Sequence, residues 1–579
     1  MAIFSFDASH TLGKVRAVDT RRVNVQVNTD EDLRRARVGQ LVALALPGAV
    51  EEWLIGIIDK VIKTPFLEEQ SITEGDESDQ EGAMVFPRES VLNTVQLTLV
   101  GTVGLTTDNK PRFSRSLVQV PEIDGGCYIL RDAQLQTFMS MLSAEGEKEH
   151  SLEIGRYTID ENAKAYLDGN KIFQRHASLL GSTGSGKSWT VAAILERAAK
   201  LPSSNLIVFD LHGEYSKLSY ARHLRIPGPE ELGKADPMLL FLPYWLLNAE
   251  ELQAMFIDRS EFSAHNQVMA FQDIVVAKKK CTLEDLGKTE VLNAFTLDSP
   301  VPFEIDDVIA ELERLNKQMV PGSGNKEKQG PFYGQFSRLL VRLNSKVGDK
   351  RYGFLFQAPG SEHKYDAMAD KMKRLMDYSE TKAQIKIIDF SEVPADILPI
   401  IVGLVARIIY QVQFWTNRGK RRPMAFVCDE AHLYLPKKEG KNPVEQRAIE
   451  NFEKIAKEGR KYGVALLIVS QRPSDVSSTI LSQCNNVIAL RLTNGDDQAT
   501  VRRLMPESLE GLMDTLPILD IGEALVVGDA VLLPSRIRIY PPKEEPLSAT
   551  IDFWNEWSKK PDVPDFAEAV ENMRRQNRV

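Results

Sequence analysis

Residues 181–188 read Gly-Ser-Thr-Gly-Ser-Gly-Lys-Ser. They fit G-x-x-x-x-G-K-[ST], a phosphate-binding P-loop, and so point to an α/β nucleotide-binding core. Gly181, Gly184 and Gly186 carry no Cβ, so the chain can turn tightly and its main chain can approach a phosphate. The amide groups of such a loop point inward as donors. Lys187 supplies a cation for the β- and γ-phosphates, and Ser188 a hydroxyl for Mg2+. The expected ATP-binding set is Gly181, Ser182, Thr183, Gly184, Ser185, Gly186, Lys187, Ser188 and Trp189. The flanks agree. Ala177–Leu180 is a short apolar strand, and Trp189–Lys200 places Val191, Ile194, Leu195 and Ala198 at helical spacing. That helix aims its positive dipole end at the phosphates.

The second half of a nucleotide site lies far downstream. Ala425-Phe-Val-Cys-Asp429-Glu430 is a hydrophobic strand ending in two carboxylates, a Walker B pattern. Asp429 is expected to hold Mg2+ through water, and Glu430 to polarise the attacking water. Asp429-Glu-Ala-His432 also spells DEAH. A superfamily-2 helicase is rejected, because the two motifs stand too far apart and the Ser-Ala-Thr and Q-R-x-G-R-x-x-R elements are missing. His432 is read as a structural or supporting residue. Gln471, at the end of the next strand, can reach the γ-phosphate or the water; a strand-end cap is the alternative. Arg460, in Glu458-Gly-Arg-Lys-Tyr-Gly463, is a candidate finger for a neighbour's site, worth ~10³-fold in rate. A surface ion pair is its alternative. Arg175 is a second candidate for the same role. Asp210 and Glu214, in Phe209–Tyr215, fall at the carboxyl edge of the sheet, where ligands gather in open α/β folds; capping the following turn is the alternative.

Around these motifs the chain is long enough, at 579 residues, for several domains. Residues 1–125 alternate in short strands and predict a small N-terminal β-barrel. An acidic loop at 65–87 splits it; Glu68, Glu69, Glu74, Asp76, Glu77, Asp79 and Glu81 stand there with no Lys or Arg up to Gly82. Residues 126–226 are expected to hold a linker helix (Tyr128–His150), an entrance hairpin and the first part of the ATPase core. From 227 to 380 helical periodicity dominates, with Ile305, Val308, Ile309, Leu312, Leu315 and Met319 on one face, which predicts a helical insertion. Residues 381–540 return to apolar strands and complete a doubly wound sheet, with 523–527 and 531–540 as an antiparallel edge pair. A tail with Phe553, Trp554 and Trp557 occupies 541–579.

The net charge of −10 places any nucleic-acid-binding surface in a local groove or pore. Lys278–Lys280, Arg418–Arg422 and Lys437, Lys438 and Lys441 are the basic clusters. The four cysteines form no C-x-x-C and the histidines no zinc pattern. The first residues lack a basic signal region, and Ile397–Ala406 reads as a buried helix, so a cytoplasmic protein without a membrane span is expected.

The P-loop, Phe-Asp-Leu-His-Gly-Glu-Tyr (209–215), Val-Cys-Asp-Glu-Ala-His-Leu-Tyr-Leu-Pro (427–436), Glu-Gly-Arg-Lys-Tyr-Gly (458–463) and Ser-Gln-Arg-Pro-Ser (470–474) together resemble the HerA family, in the FtsK/HerA branch of P-loop motors. Ser477–Leu492 resembles it too. The resemblance implies a RecA-like core with a barrel and a helical insertion. It further implies a homo-hexameric ring that threads double-stranded DNA, hydrolyses ATP with Mg2+ between subunits, and works with an effector. That effector would be a NurA-type nuclease, a sirtuin-like NADase or another nuclease, in DNA end processing or anti-phage defence. An ATPase scaffold that activates a partner with little DNA movement is the competing reading.

Overall fold

The computed structural model describes the chain apart from residues 1–2, 47–51, 69–87, 118, 147–150, 322–325, 377–383, 438–442, 507–508, 549–551, 561–565 and 576–579. Most of the acidic loop, together with Lys438 and Lys441, lies outside the described residues. In chain order the strands are β1 (Thr11–Asp19), β2 (Arg22–Val27), β3 (Leu41–Ala45), β4 (Trp53–Glu68), β5 (Arg88–Leu105), β6 (Pro111–Ser114), β7 (Gly126–Ile129), β8 (Leu152–Tyr157), β9 (Asp160–Leu167) and β10 (Ala177–Leu180). They continue with β11 (Asn205–Asp210), β12 (Arg222–Arg225), β13 (Met319–Pro321), β14 (Glu327–Gln329), β15 (Gln384–Asp389), β16 (Met424–Cys428), β17 (Val464–Ser470), β18 (Asn486–Ala489), β19 (Glu523–Gly528) and β20 (Ser535–Ile539). Two compact units share the chain. One comprises residues 1–172, 179–187 and 485–541; the other comprises 173–178, 188–484 and 542–579.

In the first unit, β2-β1-β7-β3-β4-β5 pair in order, and a further β2–β5 pairing closes them into a barrel; β6 adds to the outside of β5. The cause is alternation. Val23, Val25 and Val27 point inward from β2 while Arg22, Asn24 and Gln26 stay partly solvated. Leu12, Val15, Leu54, Ile58, Val95, Leu97 and Ile129 fill the interior, each such side chain contributing about 1.5–3 kcal/mol on burial. β6 can lie close to β5 only because Gly101 has no side chain; a Cβ there would stand 2.3 Å from the Ser114 carbonyl oxygen. β4 and β5 remain paired from Trp53↔Val103 out to Glu68↔Arg88, so this hairpin brackets the acidic stretch.

Two expectations need correction here. The predicted linker helix does not start at Tyr128. Residues 126–129 are β7, which pairs with β1 and β3, and the helix is Asp132–Gly146. Asp124 and Asp132, both at positive φ, turn the chain into and out of this short strand. An apolar run of four residues gives too little periodicity to separate it from a following helix. The pair β19–β20 is antiparallel as expected but is not an edge. The hairpin β8–β9 continues the sheet through Ile537↔Tyr157, giving the order β18-β19-β20-β8-β9 beside Leu179–Leu180 of β10.

The second unit carries the parallel strands β12-β15-β11-β16-β17, followed by Ala177–Ser178 of β10. β11, β16 and β17 are buried along their whole length, as strands covered on both faces must be. The helices Leu398–Trp415 and Pro443–Tyr462 lead into β16 and β17. The first is long and apolar enough to cross a membrane, yet most of it is buried in this unit. Its Arg407 forms a two-pronged ion pair with Glu251 (2.8 and 2.7 Å) of helix Ala249–Phe256, and Asn451 also donates to Glu251. Helices Ala264–Asp285, Ile305–Lys317, Ser337–Gly348 and Ala367–Met376 occupy the predicted insertion. Ile305, Val308 and Leu312 are its buried stripe. Met319 is not part of that stripe: the helix ends at Lys317 and Met319 opens the small hairpin β13–β14, exposed. The tail helices Phe553–Ser558 and Phe566–Arg575 have no buried residue.

Candidate nucleotide site

The P-loop belongs to the first unit. β10 ends at Leu180, whose carbonyl accepts from the Leu490 N–H (2.7 Å), and the Ser182 N–H donates to the Arg491 carbonyl (2.9 Å). These bonds fix the start of the loop on the strand β18 and its continuation. Gly184 and Gly186 stand at φ +72° and +102°, values that cost an L-residue strain. A Cβ on Gly181 would come within 2.5 Å of Ser185 Oγ and 2.8 Å of Leu490 Cβ. The Gly522 N–H closes the far side on the Ser185 carbonyl (3.2 Å). Lys187 is buried and folds back, its Nζ donating to the Ser182 carbonyl at 3.3 Å. The Ser185 hydroxyl is buried and has no hydrogen-bond partner among the described residues. A turn with two left-handed glycines, a buried hydroxyl and an inward lysine fits a phosphate group. Ser188, half-buried, and Trp189, exposed, follow in the second unit on helix Lys187–Ala198.

An acidic centre forms in the second unit at the carboxyl ends of β15, β11, β16 and β17. Register places Asp210 opposite Asp389, Phe209 opposite Cys428, and Cys428 opposite Ile468. The consecutive residues Asp429 and Glu430 therefore leave the sheet between the ends of β11 and β17. Asp429 is buried. One carboxylate oxygen accepts from the Glu430 N–H (2.9 Å), the other from the Tyr215 hydroxyl (2.8 Å). Burial, then the neighbouring Glu430, pushes its carboxyl up to about 7, with Tyr215 opposing. Glu430 itself sits at φ 45°, ψ 42°, a left-handed conformation that a glutamate adopts only under constraint. His432 Nδ1 lies 3.3 Å from Glu430 and 3.4 Å from Ser470 Oγ, which in turn accepts from the Arg472 N–H (3.0 Å). Two adjacent carboxylates held this tightly, with one driven toward protonation, form a donor set that a divalent cation would relieve.

Asp210 does not face a ligand. Its two oxygens accept from the N–H groups of His212, Glu214 and Tyr215 (3.0–3.2 Å), capping the turn at Gly213. Burial raises its pKa. Gln471 follows β17 directly and is half-buried beside the β16 end. Arg460 is elsewhere. It is exposed in the last turn of helix Pro443–Tyr462, before β17 begins. Seven residues of strand separate the two ends of β17, about 20 Å at strand rise, so Arg460 and Glu430 occupy opposite edges of the sheet. Of the basic clusters, Lys278 pairs with Asp307, and Lys279 is buried with its ammonium on the Leu297 and Ser299 carbonyls (2.7 and 2.8 Å). Those two lysines serve the insertion's own structure.

The sequence reading overlooked Tyr215 and the His432–Ser470 bridge. Tyr215 stands in the Phe209–Tyr215 string, but nothing local marks its hydroxyl as a partner of Asp429, 214 positions later.

The sequence-family description "Helicase HerA, central domain" covers residues 152–409, and "Helicase HerA-like C-terminal" covers 416–542. The DNA double-strand break repair helicase HerA of Saccharolobus solfataricus is 25% identical over 435 residues, 74% of this chain and 75% of that protein. Its Pyrococcus furiosus namesake is 28% identical over 429 residues, 68% and 70%. Among solved structures, VirB4 of Thermoanaerobacter pseudethanolicus aligns with a TM-score of 0.46 at 17% identity, over 68% of this chain and 97% of that one. With both HerA descriptions matched in sequence over most of the residues that carry its strands and motifs, this chain belongs to the HerA family.

Proposed function

We propose that this protein is an ATP-driven motor that moves double-stranded DNA as a homo-hexameric ring in the cytoplasm. The observation that carries the reading is the glycine turn with Lys187 folded over it, in a family whose named relatives are DNA repair helicases. The main chain of the glycine turn and the Lys187 ammonium grip the phosphates. Ser188 and Asp429 hold Mg2+, which supplies charge neutralisation at the phosphoryl group when bound. Glu430 orients and polarises the attacking water, and Gln471, at the adjoining strand end, senses the γ-phosphate. Arg460, on the far edge of the sheet, serves a neighbouring subunit's nucleotide as a finger. This geometry supports a ring, because within one chain Arg460 cannot stand in for a catalytic cation at Glu430. Asp210 is a cap in this scheme, and His432 supports Glu430.

A second reading keeps the ATPase but makes the ring a scaffold that licenses an effector, such as a NurA-type nuclease or a sirtuin-like NADase, in end processing or anti-phage defence. The internal use of Lys278 and Lys279, on a chain of net charge −10, favours it. One assay separates the readings: steady-state ATPase of wild type and Lys187→Ala, with and without duplex DNA. The motor predicts turnover stimulated by duplex and abolished in Lys187→Ala. Turnover indifferent to DNA would favour the scaffold, and an unimpaired Lys187→Ala would remove the P-loop assignment. Mixing Arg460→Ala with Lys187→Ala subunits should restore part of the turnover; a confirmed mixed ring with none would remove the trans finger.

A further inference from the structure

We propose that Tyr215 is the positioning residue of the acidic centre, holding Asp429 in the one orientation in which its carboxylate can serve a divalent cation. The inference rests on the reading of Asp429 as that cation's ligand. Tyr215 is fully buried and its hydroxyl donates to Asp429 Oδ2 at 2.8 Å. The other oxygen is already held by the Glu430 N–H. A carboxylate gripped at both oxygens cannot rotate away, and a buried tyrosine hydroxyl has strong reason to keep its partner.

The turn that carries Tyr215 is itself fixed from two sides. From within, Asp210 accepts three successive main-chain N–H groups, and Gly213 at φ +72° lets the chain reverse around it. From outside, the tail lies across it. The Leu547 N–H donates to the Glu214 carbonyl (2.6 Å), and Glu544 accepts from both the N–H and the hydroxyl of Ser219 (2.6 Å each). One residue earlier, the Lys543 N–H donates to Glu196 on helix Lys187–Ala198. The segment Lys543–Leu547 is therefore a strap over the element that orients Asp429. A partner drawing on the tail would reach the cation ligand through one loop and one hydroxyl.

The test is Tyr215→Phe in the full chain. It keeps the ring and its packing and removes the hydroxyl donor. Two quantities are read: binding of a fluorescent, non-hydrolysable ATP analogue without Mg2+, and the Mg2+ concentration that half-saturates the nucleotide-dependent rise in melting temperature. Removing a group that orients a metal ligand typically weakens metal affinity about 10–100-fold. The expected result is a Mg2+ midpoint raised roughly 10-fold, with Mg2+-free nucleotide binding unchanged because the P-loop is untouched. Asp429→Asn is run alongside. A midpoint shifted by Asp429→Asn but not by Tyr215→Phe overturns the positioning role alone. A midpoint shifted by neither overturns the reading of Asp429 on which it rests. Should Tyr215→Phe unfold below assay temperature, Glu544→Ala decides. Among the described residues the hydrogen bonds of Glu544 go to Ser219, so its loss loosens the loop from outside. A raised midpoint supports the proposal and an unchanged one overturns it.

Discussion

The P-loop and the acidic centre recognise the same chemistry by opposite means. The P-loop is eight contiguous residues whose shape comes from main-chain geometry: two glycines at positive φ and a lysine folded on a carbonyl. The acidic centre is assembled from three distant segments, 210–215, 429–432 and 470–472, and its shape comes from side-chain hydrogen bonds. The first needs only the right local sequence. The second needs the sheet to be built before any of its contacts exist. Binding strength should therefore reside in the loop, and chemistry in the convergence.

The largest effect should come from breaking that division at its chemical end. Glu430→Gln keeps the side chain's size and removes its charge, so turnover should fall on the order of 10³-fold, the range lost with a general base, while nucleotide affinity stays near wild type. Gly186→Ala should do the reverse. A Cβ at φ +102° costs about 1–3 kcal/mol of backbone strain, which should appear in affinity before it appears in the chemical step. Affinity from analogue titration and kcat from single-turnover kinetics check both. If Glu430→Gln lost affinity as severely as turnover, the division between gripping and cleaving would be wrong.

Convergence also predicts a dependence on remote packing. β16 and β17 bring Asp429 and Gln471 together only if the helices feeding them stay in place. The Arg407–Glu251 pair, with Asn451 on the second helix, ties those helices to Ala249–Phe256. Removing one partner of a buried pair leaves a charge without compensation and costs about 3–5 kcal/mol. Glu251→Ala should lower the unfolding midpoint accordingly in scanning calorimetry. Replacing both partners by Met and Leu should recover much of the loss. A Glu251→Ala protein as stable as wild type would show that this pair does not anchor the helices.

The same contrast decides what could be read from the sequence. The P-loop, the Walker B strand and the alternating barrel strands such as Arg22–Val27 were legible because each is a local pattern with one physical solution. β7 was not, since four residues between two positive-φ aspartates carry too few periods to separate strand from helix. The outer place of β8–β9 was not legible either. Hairpin formation is local, but which sheet edge the hairpin joins depends on Ile537 meeting Tyr157 from the other end of the chain. Asp210 could be placed at a strand end, with facing a ligand and capping the next turn both left open. Only the turn geometry shows that its oxygens are spent on three amides, leaving Tyr215, not Asp210, to touch Asp429.

The smallest effect tests how the second unit holds the residues that lead into β10. His176 is buried at φ 51°, one position before the strand. Its Nδ1 accepts from the Leu466 N–H (2.9 Å) on β17, and its Nε2 donates to the Ala456 carbonyl (3.0 Å) on the preceding helix. Both bonds require the neutral ring protonated at Nε2. Burial lowers its pKa below the usual value, the Ala456 bond opposing. The unfolded chain, titrating near 6.5, then binds more protons than the folded one as pH falls. The stabilisation is complete above about pH 6.5 and is lost progressively as pH drops through the folded value. His176→Asn tolerates the left-handed backbone and removes the titration. At pH 7.5 it should cost roughly 1–2 kcal/mol, the worth of two buried hydrogen bonds, and the gap to wild type should narrow toward pH 5. Unfolding midpoints at pH 5, 6 and 7.5 measure the difference, in which every other titrating group cancels. A gap independent of pH would mean that His176 fills space without acting through its neutral ring.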